Sequence, residues 1–123
     1  VNIIIDTHIF LWALTNHSRL SDAKRSVLED LSNTIFVSAV SIAELMIKAS
    51  LKKLGIDFNP VVMAKESGFA LLDFSAEAVL LLKDMPFHHK DPFDRMLIAQ
   101  SIADSYPIMT EDPKIALYNC RVL

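Results

Sequence analysis

Asp6, Glu44, Asp94 and Asp112 each fall where an apolar, strand-like run has just ended or a helix has just begun. If the strands are parallel, those junctions share one sheet edge, and the four carboxylates converge there from distant parts of the chain. Hard oxygen donors in such a cluster suit Mg2+ or Mn2+, and an ion that keeps open positions can admit a phosphate group and lower the pKa of a water. The pattern points to metal-dependent nuclease chemistry. Asp6 and Asp94 are the expected direct ligands, Asp112 is a ligand or an acid acting through one, and Glu44 orients water or holds a second ion.

Each acid also has a plain structural use, because Asp caps helices and any first-turn acid complements the helix dipole. The case rests on what capping leaves over. At Asp91-Pro92-Phe93-Asp94 the cap is supplied by Asp91 with Pro92 at the first helical position, so Asp94 is a second acid heading a stripe continued by Leu97 and Ile98. Ser41 and Glu44 have the spacing of a capping box, and Glu44 can pair with Lys48 one turn on. Asp6 shares its corner with Thr7, which could cap in its place, and Asp112 precedes Pro113 as an ordinary cap would. Two like charges about 4 Å apart repel by roughly 4 kcal/mol at an effective dielectric near 20, so clustered acids need a cation or must take up protons. Thr110, two residues before Asp112, is placed to donate its hydroxyl to a carboxylate or phosphate.

The elements that would position these groups alternate. Asn2 to Ile5 reads as a buried strand, and the run from His8 to about Thr15 as a buried helix. Ser21 caps a helix to about Leu31, Thr34 to Ser38 is a strand, and Ser41 opens a third helix with Ile42, Leu45, Met46 and Ala49 on its apolar stripe. Lys52 and Lys53 suit the end of that helix, with Gly55 as its left-handed stop. Asn59-Pro60 starts a fourth helix ending at Gly68, Phe69 to Leu72 is a strand, and Ser75 to Lys83 is a fifth helix. A sixth runs from Asp91-Pro92 to about Asp104, Ile108 to Thr110 is a short strand, and Asp112-Pro113 begins a last helical turn. The alternation predicts a single three-layer α/β/α domain over residues 1–123, with a short central parallel sheet and helices on both faces.

Composition narrows the function classes. With 52% apolar residues and 2 glycines in 123, neither a disordered nor a low-complexity chain is expected. A net charge of −3 argues against a general nucleic-acid coat, though not against a nuclease whose acids await a cation. Lys48, Lys52, Lys53, Lys90 and Arg95 would then form a basic rim, with Lys48, Lys90 and Arg95 placed to contact nucleic-acid phosphate. The single cysteine, Cys120, and the lack of a targeting stretch predict a reducing cytoplasm. The longest aliphatic run, Ala78 to Leu82, is far short of the roughly 20 residues that cross a bilayer.

Four segments carry a family resemblance: Ile3-Ile4-Ile5-Asp6-Thr7, Ser41-Ile42-Ala43-Glu44-Leu45, Asp91-Pro92-Phe93-Asp94-Arg95-Met96-Leu97-Ile98-Ala99-Gln100, and Met109-Thr110-Glu111-Asp112. Together they resemble PIN-domain ribonucleases and, more narrowly, the VapC toxins of type II toxin–antitoxin pairs. The resemblance spans essentially the whole chain, and Asp-Pro-Phe-Asp-Arg with its following helix is its most specific part. It implies a Mg2+- or Mn2+-dependent endoribonuclease, usually a homodimer, silenced by a VapB-type antitoxin that packs over the active-site groove. By position the acidic tetrad falls on Asp6, Glu44, Asp94 and Asp112, with Asp91 close enough to contribute. The preference for RNA over DNA comes from the resemblance alone.

His88-His89-Lys90 could touch phosphate, but reads more readily as a polar loop ahead of a cap, and the histidines are not expected to ligate metal. Ile47 and Leu51 lie opposite the core stripe of the third helix, so that helix is either buried within its own monomer or meets another chain. Phe10 and Trp12 pose the same choice between core and antitoxin contact, and Cys120 is expected to be inert. An aspartyl phosphotransferase needs a second Asp two residues after Asp6, where His8 stands, and a receiver domain needs paired acids near the first strand. The remaining alternatives are a PIN nuclease of RNA maturation and a noncatalytic PIN-like interaction module.

Overall fold

Three consecutive isoleucines, Ile3, Ile4 and Ile5, are all but inaccessible to solvent, as a strand covered on both faces requires. They form β1 (Asn2–Ile5) in a computed structural model that describes residues 1–123. β1 pairs in parallel with β2 (Thr34–Ser38) on one side and with β4 (Ile108–Met109) on the other, and β3 (Ala70–Leu72) adds to the far side of β2. The order is therefore β3-β2-β1-β4, all parallel. Residues 121–123 run beside β4, where the Arg121 carbonyl accepts from Ile108 and the Leu123 amide donates back to it, so that edge is not left bare.

Alternation along the strands sorts the core into two layers. Ile3 and Ile5, Ile35 and Val37, and Met109 face a cluster with Ile9, Phe10, Leu20, Leu45, Ala64 and Phe69, which belongs to the helices α1 (Thr7–Thr15), α2 (Asp22–Glu29), α3 (Ala39–Ser50) and α4 (Pro60–Glu66) and their flanks. Ile108 faces the opposite cluster, with Val40, Met85, Leu97, Ile98, Ala99, Ile115 and Tyr118, built around α5 (Ala76–Leu81), α6 (Pro92–Asp104) and a closing 3-10 turn (Pro113–Leu117). This is the expected three-layer α/β/α arrangement. No helix is long and apolar enough to cross a membrane.

Two local expectations need correction, and one open choice is settled. α3 begins at Ala39, not Ser41: Ser38 at the end of β2 is its cap, accepting from the Val40 amide at 3.0 Å. Ser41 and Glu44 therefore sit inside the helix and form no capping box. The inward stripe is rotated with them, so that Val40, Ser41, Glu44 and Leu45 are buried while Met46 is exposed. The left-handed stop is Lys52 (φ 58), not Gly55; the chain reverses three residues earlier, with the Lys53 amide reaching back to the Lys48 carbonyl. Phe10 is fully buried in the core and is not available to a partner.

In a parallel sheet the helix after each strand starts at the strands' carboxyl edge, and the helix before a strand starts there too. That edge carries Asp6 after β1, Thr110 and Asp112 after β4, the first half of α3 after β2, and the amino end of α6 ahead of β4. The strand order reverses between β1 and β4: from β1 it runs outward to β2 and β3 on one side and to β4 on the other. Crevices that bind ligands form at such a switch point.

Candidate metal centre

Asp6 is both a cap and something more. Its Oδ1 accepts from the Ile9 amide at 2.8 Å, closing the first turn of α1, while Oδ2 accepts from the Thr110 hydroxyl at 2.6 Å across the crevice. Thr110 in turn accepts from the Asp112 amide at 3.0 Å, so one hydroxyl ties the ends of β1 and β4 together. Burial raises the Asp6 pKa, and the bonds from Thr110 and Ile9 only partly offset it. Thr110 thus takes the carboxylate-donor position expected of it.

Glu44 is buried beside Asp6, held by Thr7 at 2.8 Å on Oε1 and by Lys48 at 2.6 Å on Oε2. Thr7 also lies 2.9 Å from Ser41. A hydroxyl has one proton and a carboxylate can only accept, so Thr7 donates to Glu44 and the Ser41 hydroxyl completes the chain by donating to Thr7. The anticipated Glu44–Lys48 pair is present, and the bond to Glu44 raises the Lys48 pKa. Lys48 is accordingly engaged with an acid, which limits its reach toward a phosphate.

Asp91 caps α6, its Oδ1 accepting from the Phe93 and Asp94 amides at 2.8 and 3.3 Å. Asp94, freed from capping, brings its carboxylate to within 4.8 Å of ligand atoms of Asp112 and His89, and no protein group donates to it. Its pKa is pushed up to about 6, first by burial and then by the charge of Asp91, with nearby His89 partly offsetting the rise and Glu44 and Asp112 adding to it. Those same charges show that acids from three separate segments, the start of α6, α3 and the turn after β4, share one field, and Asp6 is coupled to it through Glu44. Asp94, Asp112 and His89 each offer a ligand atom, all within 4.8 Å of one another.

Asp112 caps the closing turn through Oδ1, which accepts from the Lys114 amide at 2.9 Å, and meets His89 Nε2 through Oδ2 at 2.6 Å. Burial alone would raise its pKa, but the His89 and Lys114 bonds outweigh that and hold it below the usual carboxylate value. His89 was not expected in this role. Only its burial (8% exposed) and its contact with Tyr118 at 3.0 Å, both products of tertiary packing, single it out from a polar loop.

Arg95 corrects the expected basic rim. Its guanidinium points inward and donates to the carbonyls of Pro86, Met85, Leu82 and His89, with the Phe87 ring 4.0 Å from its centre. It tethers the α5–α6 loop and is not exposed to RNA. Lys90 is exposed and forms no ion pair, so it stays at the rim.

The donor set fits a hard divalent cation. Asp94 is an unpartnered carboxylate whose charge neighbouring acids oppose, and a cation removes that conflict while an oxygen of Asp112 stands within 4.8 Å; Asp6 lies outside that close group and is coupled to it through Glu44.

Relatives agree on the fold. The PIN domain family model matches residues 3–119. VapBC2 from Rickettsia felis, bound to a DNA fragment from its promoter, has a chain 18% identical that superposes with a TM-score of 0.76, covering 100% of this chain and 98% of that one. DNA-bound VapBC from Salmonella typhimurium gives 14% identity and 0.71, covering 100% and 97%. The PIN domain endonuclease Utp24 gives 19% identity and 0.52, covering 94% and 74%. No curated protein matches by sequence. On the family match across nearly its whole length, the chain belongs to the PIN domain family.

Proposed function

We propose that this protein is a Mg2+- or Mn2+-dependent endoribonuclease, the toxin of a VapBC-type pair, acting in the cytoplasm. The observation that carries the reading is the Asp94 carboxylate, which faces a crevice of acids at the switch point of a PIN fold with no protein donor. Asp6, Asp94 and Asp112 would hold the ion, with Asp91 as an auxiliary acid and Glu44 orienting water or a second ion. When bound, the ion supplies positive charge that screens these carboxylates, attracts a phosphodiester and acidifies water.

The chain's own groups supply the rest. Thr110 fixes the rotamer of Asp6, and the Thr7 and Lys48 bonds fix Glu44, so the acids are preorganised before RNA arrives. Lys90 at the rim offers a charge to the RNA backbone. A VapB-type antitoxin as partner is supported by the VapBC complexes among the structural neighbours. A homodimer is supported by Ile47 and Leu51, 45% and 59% exposed on the outer side of α3.

The test is cleavage of a labelled RNA with Mg2+, Mn2+ or EDTA by wild type and Asp94→Asn. Cleavage that needs the metal, leaves 5′-phosphate ends and is lost in Asp94→Asn supports the proposal. Equal cleavage by both proteins, or none by wild type with either metal, refutes it.

A further inference from the structure

We infer that His89 and Tyr118 form a positioning relay that locks the Asp112 carboxylate, and that His89 is not itself a metal ligand. The inference rests on reading Asp112 as one of the acids that hold the ion. His89 Nε2 lies 2.6 Å from Asp112 Oδ2, and Nδ1 lies 3.0 Å from the Tyr118 hydroxyl. The carboxylate can only accept, so Nε2 carries a hydrogen; on a neutral ring Nδ1 is then an acceptor, and Tyr118 donates to it. The bonds run in one direction, from Tyr118 through His89 to Asp112. Both ring nitrogens are committed, and the one nearest the acids has no lone pair left for a cation.

The relay is built into the fold at both ends. The His89 carbonyl accepts from Arg95, whose remaining bonds to Leu82, Met85 and Pro86 hold the same loop against α6. Tyr118 closes the 3-10 turn, its amide donating to Ile115, and its ring packs in the α6-side core with His88 edge-on at 5.0 Å. Asp112 is thereby held at both oxygens, by the Lys114 amide on Oδ1 and His89 on Oδ2. Rotating the carboxylate breaks the His89 or Lys114 bond, and withdrawing the α5–α6 loop breaks buried Arg95 bonds. Groups that orient a metal-holding acid in this way are typically worth about 10–100-fold in metal affinity or activity.

The experiment measures Mn2+ affinity by electron paramagnetic resonance in wild type, His89→Gln, His89→Leu, Tyr118→Phe and Asp94→Asn, together with nitrogen couplings on the bound ion and kcat and KM for RNA. The relay predicts no directly coordinated nitrogen in wild type. His89→Leu should lose about 10–100-fold in Mn2+ affinity. His89→Gln, which keeps an N–H donor, should recover much of that loss, and Tyr118→Phe, which keeps the ring, should fall between. kcat should decline in the same order with KM for RNA unchanged. A nitrogen coupling that disappears in His89→Leu makes His89 a ligand and overturns the inference, as does wild-type affinity in both His89→Leu and Tyr118→Phe. If wild type binds no Mn2+, or Asp94→Asn binds it equally well, the metal reading itself fails and the relay falls with it.

Discussion

Removing the charge of Asp94 should make the metal-free protein more stable. The folded-state pKa of Asp94 is about 6 against an ordinary 3.8. Between those values the folded protein holds a proton that the unfolded chain releases, so this contribution to stability is complete below pH 3.8 and is lost as pH rises through 6. The whole difference corresponds to about 3 kcal/mol, and solvent screening at the partly open crevice reduces it to roughly 1–2 kcal/mol. Losing a first-turn acid from α6 costs about 0.3–1 kcal/mol in the other direction. The net expectation for Asp94→Asn in EDTA at pH 7.5 is therefore a gain of roughly 1 kcal/mol, or about 3–5 °C in Tm for a chain of this size. At pH 5 the gap should narrow, because wild-type Asp94 is by then largely protonated. Saturating Mn2+ should reverse the order: at 100 times its Kd the ion stabilises wild type by about 2.7 kcal/mol and should leave the variant nearly unchanged. Thermal melts of both proteins at the two pH values, with and without Mn2+, supply the measurement. An Asp94→Asn protein less stable than wild type in EDTA at pH 7.5, or a difference that does not vary with pH, would refute the reasoning.

Thr7→Val should cost about 1–3 kcal/mol in urea denaturation, because it leaves buried Glu44 Oε1 without its donor; an unchanged midpoint would mean that Glu44 finds another partner. Arg95→Met should destabilise by about 3 kcal/mol or more, since it strips the donors from four carbonyls of the α5–α6 loop, and a near-neutral change in chemical denaturation would show that the tether is dispensable. Lys90→Ala should raise KM for RNA a few-fold, increasingly so at low salt, with kcat and Tm unchanged; an equal fall in kcat would place Lys90 nearer the reacting atoms.

The alternation of short apolar runs with capped helices was legible because each local choice agrees with the global one. The bounds read for β1 and β2 coincide with those in the structure, and Ser21, Asn59-Pro60 and Asp91-Pro92 cap the helices they were expected to cap. The placement of Asp6 and Asp112 at strand ends followed from the same alternation. α3 was misread because hydropathy marks Met46 as core, whereas its inward face turns toward the acid edge and buries Ser41 and Glu44. Those two are tolerated there only because Thr7 and Lys48, distant in sequence or one turn on, satisfy them. Arg95 and His89 were missed for a related reason: nothing local distinguishes a buried Arg tethering carbonyls, or a buried imidazole between Tyr118 and Asp112, from ordinary loop and rim residues. At the left-handed position after α3 stands Lys52 in place of Gly55, although Gly is the residue best suited to that conformation.

The most direct test of the account is anomalous diffraction from crystals soaked in Mn2+. It predicts a manganese peak at the β1–β4 crevice, within bonding distance of carboxylate oxygens of Asp6, Asp94 and Asp112, and none there in Asp94→Asn crystals. Ordered crystals with no peak at that edge, or with manganese bound only elsewhere, would contradict it.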